Sequence, residues 1–252
     1  MPLSTPRPAA SVADVLSALL SEPGRPRLTW YGPAGERIEL SGAVLDNWVS
    51  KTTNLLVEEL DAGPGTRVLL DLPPHWRTAV WALAAWRVGA TVATDAHAAA
   101  ATADVVVSDR PGALDLPRGA GVVAVALPAL ARRFDGDLPP GALDAAQSVM
   151  TYGDVVGWAP AVEPSEPALE VGGTPVPHAG LVAAALGAAP VPAGSRALLP
   201  VADERAATAS ALLTTLGVLA GGGSLVLLRP EPGDAADRAE RIATTERVTA
   251  RL

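Results

Sequence analysis

The stretch ALEVGGTPVPHAGL, residues 168–181, holds the residues whose types and spacing come nearest to a chemical site. An apolar run, a glycine pair and a helix start follow one another, the order in which a backbone cradle for phosphate is built. Gly172 and Gly173 supply the turn, Thr174 the only hydroxyl, and His178 the start of the next helix. No lysine is present in the stretch. Pro175 and Pro177 carry no N–H, so two backbone donors are lost beside the turn. The outline is that of a phosphate turn, without the charge and the donors that hold a phosphate.

Other constellations say less. The chain has no cysteine, which excludes thiol catalysis, cysteine-based zinc sites and disulfides. His75, His97 and His178 are scattered, and no G-x-S-x-G elbow is present. Asp95 and His97 stand at a spacing that could ligate a metal, but a solvent-facing turn is the better explanation of them. Asp203 and Glu204 precede an apolar helix and read as its caps. Trp76, Trp81 and Trp86 share one helix but no single stripe, so at least one is expected at the surface, where it could anchor a partner.

The elements that would position these residues are legible from periodicity. Residues 11–20 alternate at helical spacing, with Val12, Val15, Leu16, Leu19 and Leu20 on one face. Residues 27–31 and 37–40 read as short strands around a glycine turn, and residues 41–60 as a strong amphipathic helix. Apolar strands at 67–72, 91–94, 104–108 and 121–127 alternate with helices at 76–88 and 97–103. Residues 132–167 are loose and rich in Pro and Gly, suited to wrapping the surface. The alternation resumes with strands at 169–171, 196–201 and 224–228, helices at 178–188, 206–220 and 235–245, and a final strand start at 247–252. Such alternation predicts an α/β fold with two packed lobes and mainly parallel, doubly wound sheets.

The composition narrows the class. With 252 residues, 49% hydrophobic and 18% charged, the chain is long enough to bury a sizeable core. The net charge of -8 and the lack of a basic block argue against nucleic acid. Lys51 is the only lysine, which with the many Ala, Gly, Pro and Arg reads as a product of GC-rich codons. Residues 206–228 carry no charge over 23 positions, but Gly221, Gly222 and Gly223 split the run into a helix and a strand, so no transmembrane segment is expected. Residues 1–10 lack the apolar core of a signal peptide, and the cytoplasm is the expected compartment.

Three blocks, residues 40–56, GPGTRVLLDLP at 63–73 and WRVGATVA at 86–93, resemble the N-terminal domain of the adenylate-forming superfamily, which includes acyl-CoA synthetases. AGSRALLPVA at 193–202, LLTTLGVLAGGGSLVLL at 212–228 and ERVTARL at 246–252 continue the resemblance in order. LDNWVSKTTNLL, DAGPGTRVLLDLP and HWRTAVW further resemble a short actinobacterial family comprising part of that domain. The resemblance implies one truncated AMP-binding-like domain over 1–252. Its first lobe spans about 66–190; its second spans about 191–252 and takes in the N-terminal segment 11–62.

The resemblance also implies a site and its ligands, ATP or AMP and CoA. The superfamily's phosphate loop is Ser/Thr/Gly-rich, ends in Pro-Lys-Gly and is followed by a His; here it is shortened to GGTPVP, with Gly172, Gly173, Thr174 and His178 as remnants. The family's adenine, Mg²⁺ and ribose motifs have no counterpart in this sequence. The expectation is therefore no cofactor and no metal. A non-catalytic relative acting as a binding or scaffolding protein, with a protein partner or as a homodimer, fits best. The alternatives are a binder of an acyl, nucleotide or CoA-like ligand between the lobes, and part of a split AMP-forming ligase completed by another chain.

Overall fold

Residues 9–172, 174–231 and 235–252 are described in a computed structural model of the chain. The chain begins with α1 (Val12–Leu19), the strand pair β1 (Pro26–Tyr31) and β2 (Arg37–Ser41), and the long α2 (Gly42–Leu60). Next come β3 (Arg67–Asp71), α3 (Trp76–Arg87), β4 (Thr91–Ala93), α4 (Ala96–Ala99), β5 (Val105–Ser108), β6 (Gly121–Ala124), β7 (Leu143–Asp144) and α5 (Ala145–Ser148). The rest comprises β8 (Pro167–Val171), β9 (Thr174–Pro177), α6 (His178–Ala188), β10 (Arg196–Pro200), α7 (Thr208–Ala220), β11 (Ser224–Leu228), α8 (Ala235–Thr245) and β12 (Ala250–Arg251).

Two mainly parallel sheets result, as the alternating pattern predicts. One has five strands in the order β12-β10-β11-β1-β2, parallel except for the β1–β2 pair. The other has seven in the order β7-β6-β5-β3-β4-β8-β9, parallel except for β8–β9. The edges are protected against further pairing. β2 carries Arg37 and Glu39, β12 is two residues long, and β9 has Pro175 and Pro177. One apolar core joins both sheets, taking Leu28, Trp30 and Leu225 from the first and Val68, Leu70 and Val107 from the second.

Local chemistry explains the helix ends. Ser11 Oγ accepts from the Asp14 N–H at 3.1 Å and the Asp14 carboxylate accepts from the Ser11 N–H at 3.0 Å, a reciprocal cap. Leu20, expected on the buried face of α1, lies just beyond its end and is 43% exposed. Gly217 lets α7 approach α6: a Cβ there would stand 2.0 Å from the Ala185 carbonyl oxygen.

The tryptophan expectation for α3 needs correcting. Trp76, Trp81 and Trp86 are 2%, 3% and 1% exposed. Periodicity assumes one wet face, but α3 is enclosed by α1, α2, α7 and strands of both sheets. Trp86 Nε1 donates to the Ala168 carbonyl at 2.8 Å, so its polar atom is satisfied inside. The exposed tryptophan is Trp158, in the connection before β8.

That connection is tied down by side chains of α2. Lys51 Nζ donates to the Tyr152 carbonyl at 2.6 Å and pairs with Asp154 at 2.7 Å. Asn54 Nδ2 donates to the carbonyls of Gly153 and Val155 at 3.2 and 3.0 Å, and its Oδ1 accepts from the Gly157 N–H at 3.2 Å. Residues 97–103 form less helix than expected: α4 gives way to a 3₁₀ turn at Ala100–Thr102. Among the described residues, no helix is long and apolar enough to cross a membrane.

Candidate functional site

The glycine turn connects an antiparallel hairpin. Val171 pairs with Thr174, so only positions 172 and 173 connect β8 to β9. Gly172 takes φ +54, the left-handed region that glycine adopts freely. Gly173 lies outside the described residues. Thr174 is exposed, and Pro175 and Pro177 stand opposite Glu170 and Pro167. Pairing engages β9 with β8 where an open loop would present a fan of free N–H groups.

His178 opens α6 at the far end of β9, about 13 Å of strand from Thr174. It is 8% exposed, and its N–H donates to the Glu166 carbonyl at 3.0 Å. Burial lowers the imidazole pKa, against the pull of the nearby Gly89 and Ala90 carbonyls. Its ring borders a cavity of about 220 Å³ with Trp86, Val162 and Leu181. Gly172 borders other cavities, so the structure does not bring His178 together with Gly172 and Thr174.

Gly172 belongs instead to a cleft of about 430 Å³ at the carboxyl ends of the parallel strands. β3 lies between β5 and β4, so the connections after these strands leave in different directions and open a crevice, the usual ligand position in such sheets. Asp71 ends β3 and is 0% exposed. Its carboxylate accepts from Ser108 Oγ at 2.8 Å and from Arg110 Nε and Nη2 at 3.2 and 3.1 Å. Arg205 Nε pairs with the same carboxylate at 2.9 Å, and Arg205 Nη2 also binds Asp109. The hydrogen bonds that Arg110 donates to Asp71 raise the Arg110 pKa, while burial raises that of Asp109 against the attraction of Arg205.

Thr94, Asp95 and Glu170 complete the rim, and Glu170 is paired with Arg67. Each arginine of the cleft therefore faces a carboxylate of the chain itself. The Arg110 side chain stays 49% exposed and is the more open of the two. This network was missed in reading the sequence. Its signal was an acid closing one apolar strand, RVLLD, and Ser-Asp-Arg closing another, VVVSDR.

The expected caps are placed elsewhere. A 3₁₀ turn at Arg205–Ala207 separates Asp203 and Glu204 from α7, whose start has no side-chain cap. Asp203 pairs with Arg229 instead. Thr208, the first residue of α7, turns its hydroxyl to the Leu72 carbonyl at 2.8 Å. Asp95 stands before α4, while the His97 side chain lies outside the described structure. Among the described residues, no group of three potential ligating side chains could hold a metal ion.

No family model matches the chain. A TIGR03089 family protein of Mycobacterium tuberculosis is 42% identical over 143 residues, 55% of this chain and 58% of that protein. An acyl-CoA synthetase of Brucella canis matches in structure with a TM-score of 0.70 and 20% identity, over 95% of this chain and 49% of its own. An amide bond synthetase of Marinactinospora thermotolerans matches with a TM-score of 0.66 and 19% identity, over 95% of this chain and 48% of its own. The chain has the fold of the corresponding parts of these two synthetases and spans about half the length of the solved structures it matches.

Proposed function

We propose that the protein is a non-catalytic relative of acyl-CoA synthetases that acts by binding, as a scaffold for a protein partner or a second copy of itself. The two-residue connection between β8 and β9 is the observation that carries this reading. Transfer to a carboxylate requires the charge of a bound triphosphate to be neutralised as the acyl phosphate forms. A paired hairpin with two prolines offers few donors, and the arginines of the adjoining cleft are engaged by Asp71 and Asp109. Asp95 and Glu170, the latter paired with Arg67, place two further carboxylates at the rim.

Pyrophosphate exchange with ATP, Mg²⁺ and a panel of carboxylic acids tests this proposal. No exchange above background is expected, from the protein alone or with proteins captured alongside it from its host. Exchange by the protein alone would overturn the reading, and exchange only with a captured chain would favour a split ligase. Capture experiments and light scattering identify the partner or second copy.

A second reading is favoured by the cleft itself. Its volume falls in the range of small-molecule sites, and Arg110 is open enough to meet an anionic group. The ligand would be an acyl, nucleotide or CoA-like molecule. Thermal-shift assays with AMP, ATP, CoA and acyl-CoA decide it: a ligand of the cleft raises Tm saturably, and Arg110→Ala removes that rise.

A further inference from the structure

The first turn of α3 carries a buried charge that forms no ion pair. Arg77 is 9% exposed and forms no ion pair with any described residue. Its Nε has no hydrogen-bond partner, and its Nη2 reaches only the carbonyls of Pro128 and Ala129, at 3.4 and 3.3 Å. Both contacts are long for a charged donor. The guanidinium carbon stands 4.3 Å from the ring centroid of Trp76 and 5.6 Å from that of Trp48. Trp76 is 2% exposed, and its indole N–H is also unpartnered. Burial pulls the Arg77 pKa down to about 10, with Glu36 opposing. The Glu36 oxygens are already engaged, by Trp30 Nε1 and by the Ala129 N–H, each at 2.7 Å.

Trp48, Trp76 and Arg77 line one cavity of about 20 Å³, with Val80, Val125 and Ala145 completing its wall. That is room for one or two water-sized groups. A guanidinium and an indole N–H both favour negative charge here. Leaving a buried cation unpaired is costly, and a water would satisfy a donor without balancing the charge.

We propose that this cavity binds a small monovalent anion, a halide or the carboxylate head of a small acid, between the Arg77 guanidinium and the Trp76 indole N–H. The site lies on the α2–α5 side of α3 and shares no lining residue with the cleft at the strand ends. It is therefore independent of the proposed function.

Indole N–H resonances of ¹⁵N-labelled protein report on the site directly, with Trp76→Phe assigning the Trp76 signal. Chloride, formate and acetate are titrated separately at constant ionic strength against a bulky gluconate background. The Trp76 resonance is expected to move saturably; response to chloride identifies a halide site, and response to formate or acetate a carboxylate site. Arg77→Met is expected to weaken binding by about tenfold or more, the scale of losing a charge-assisted partner. Trp48→Phe keeps the cation and is expected to weaken binding by a smaller factor, which provides a second variant if Arg77→Met does not fold. A Trp76 signal that does not move, moves without saturating, or moves alike in the wild type and both variants overturns the proposal and assigns the cavity to water.

Discussion

At the scale of the residue, His75 shows how a polar side chain is held inside this fold. It is 4% exposed, lies edge-on to Trp30 with ring centroids 4.5 Å apart, and caps α3 by accepting from the Arg77 N–H at 3.2 Å through Nδ1. That bond requires an unprotonated Nδ1. Burial first, and then the charges of Arg77 and Arg229, lower its pKa to about 3. An unfolded histidine titrates near pH 6.5. Between these values the unfolded chain binds a proton that the folded chain refuses, so stability is full above about pH 6.5 and falls as the pH drops toward 3. Urea unfolding at pH 6.5 and pH 5 should show His75 contributing a loss of about 2 kcal/mol over that interval. His75→Asn keeps a capping oxygen and should flatten this part of the profile. Parallel profiles would mean that other groups set the acid response.

At the scale of the element, most of the chain was legible. Apolar runs bounded by Gly and Pro marked β3, β5 and β11, and helical spacing marked α2. Periodicity could not say how many faces of α3 are covered, because that depends on both sheets closing over one helix. The candidate site was half legible. Residues 169–178 carried the turn, but the pairing of Thr174 with Val171 depends on register, which a glycine pair does not reveal. The Asp71–Arg110–Arg205 network joins three distant segments; RVLLD and VVVSDR mark its residues at strand ends, but nothing local shows that they meet. Nor did the sequence show why Gly217 stands inside α7. Gly217→Ala should destabilise by about 1–3 kcal/mol, although alanine is the better helix former, because its methyl must displace the α6 backbone. Denaturant unfolding measures this; a neutral or stabilising result would show that α6 and α7 can move apart freely.

At the scale of the whole molecule, the two sheets share their packing. Residues of both contribute to one apolar core, and α3 is enclosed between them. Far-ultraviolet circular dichroism and tryptophan fluorescence should therefore trace a single coincident unfolding transition. Separate midpoints would show that each sheet keeps a core of its own. The strap on α2 has a consequence of a different kind. Lys51 is the only lysine in the chain, its side chain is 16% exposed, and its ammonium is engaged by Tyr152 and Asp154. Amine-directed crosslinkers and acyl donors thus find a single side-chain target, and one whose nitrogen is already occupied. Acylation there would remove the charge and the ties of Lys51 to Tyr152 and Asp154, so a chemical mark on this protein would loosen one fastening of the strap and leave those of Asn54 and Glu59 to hold it.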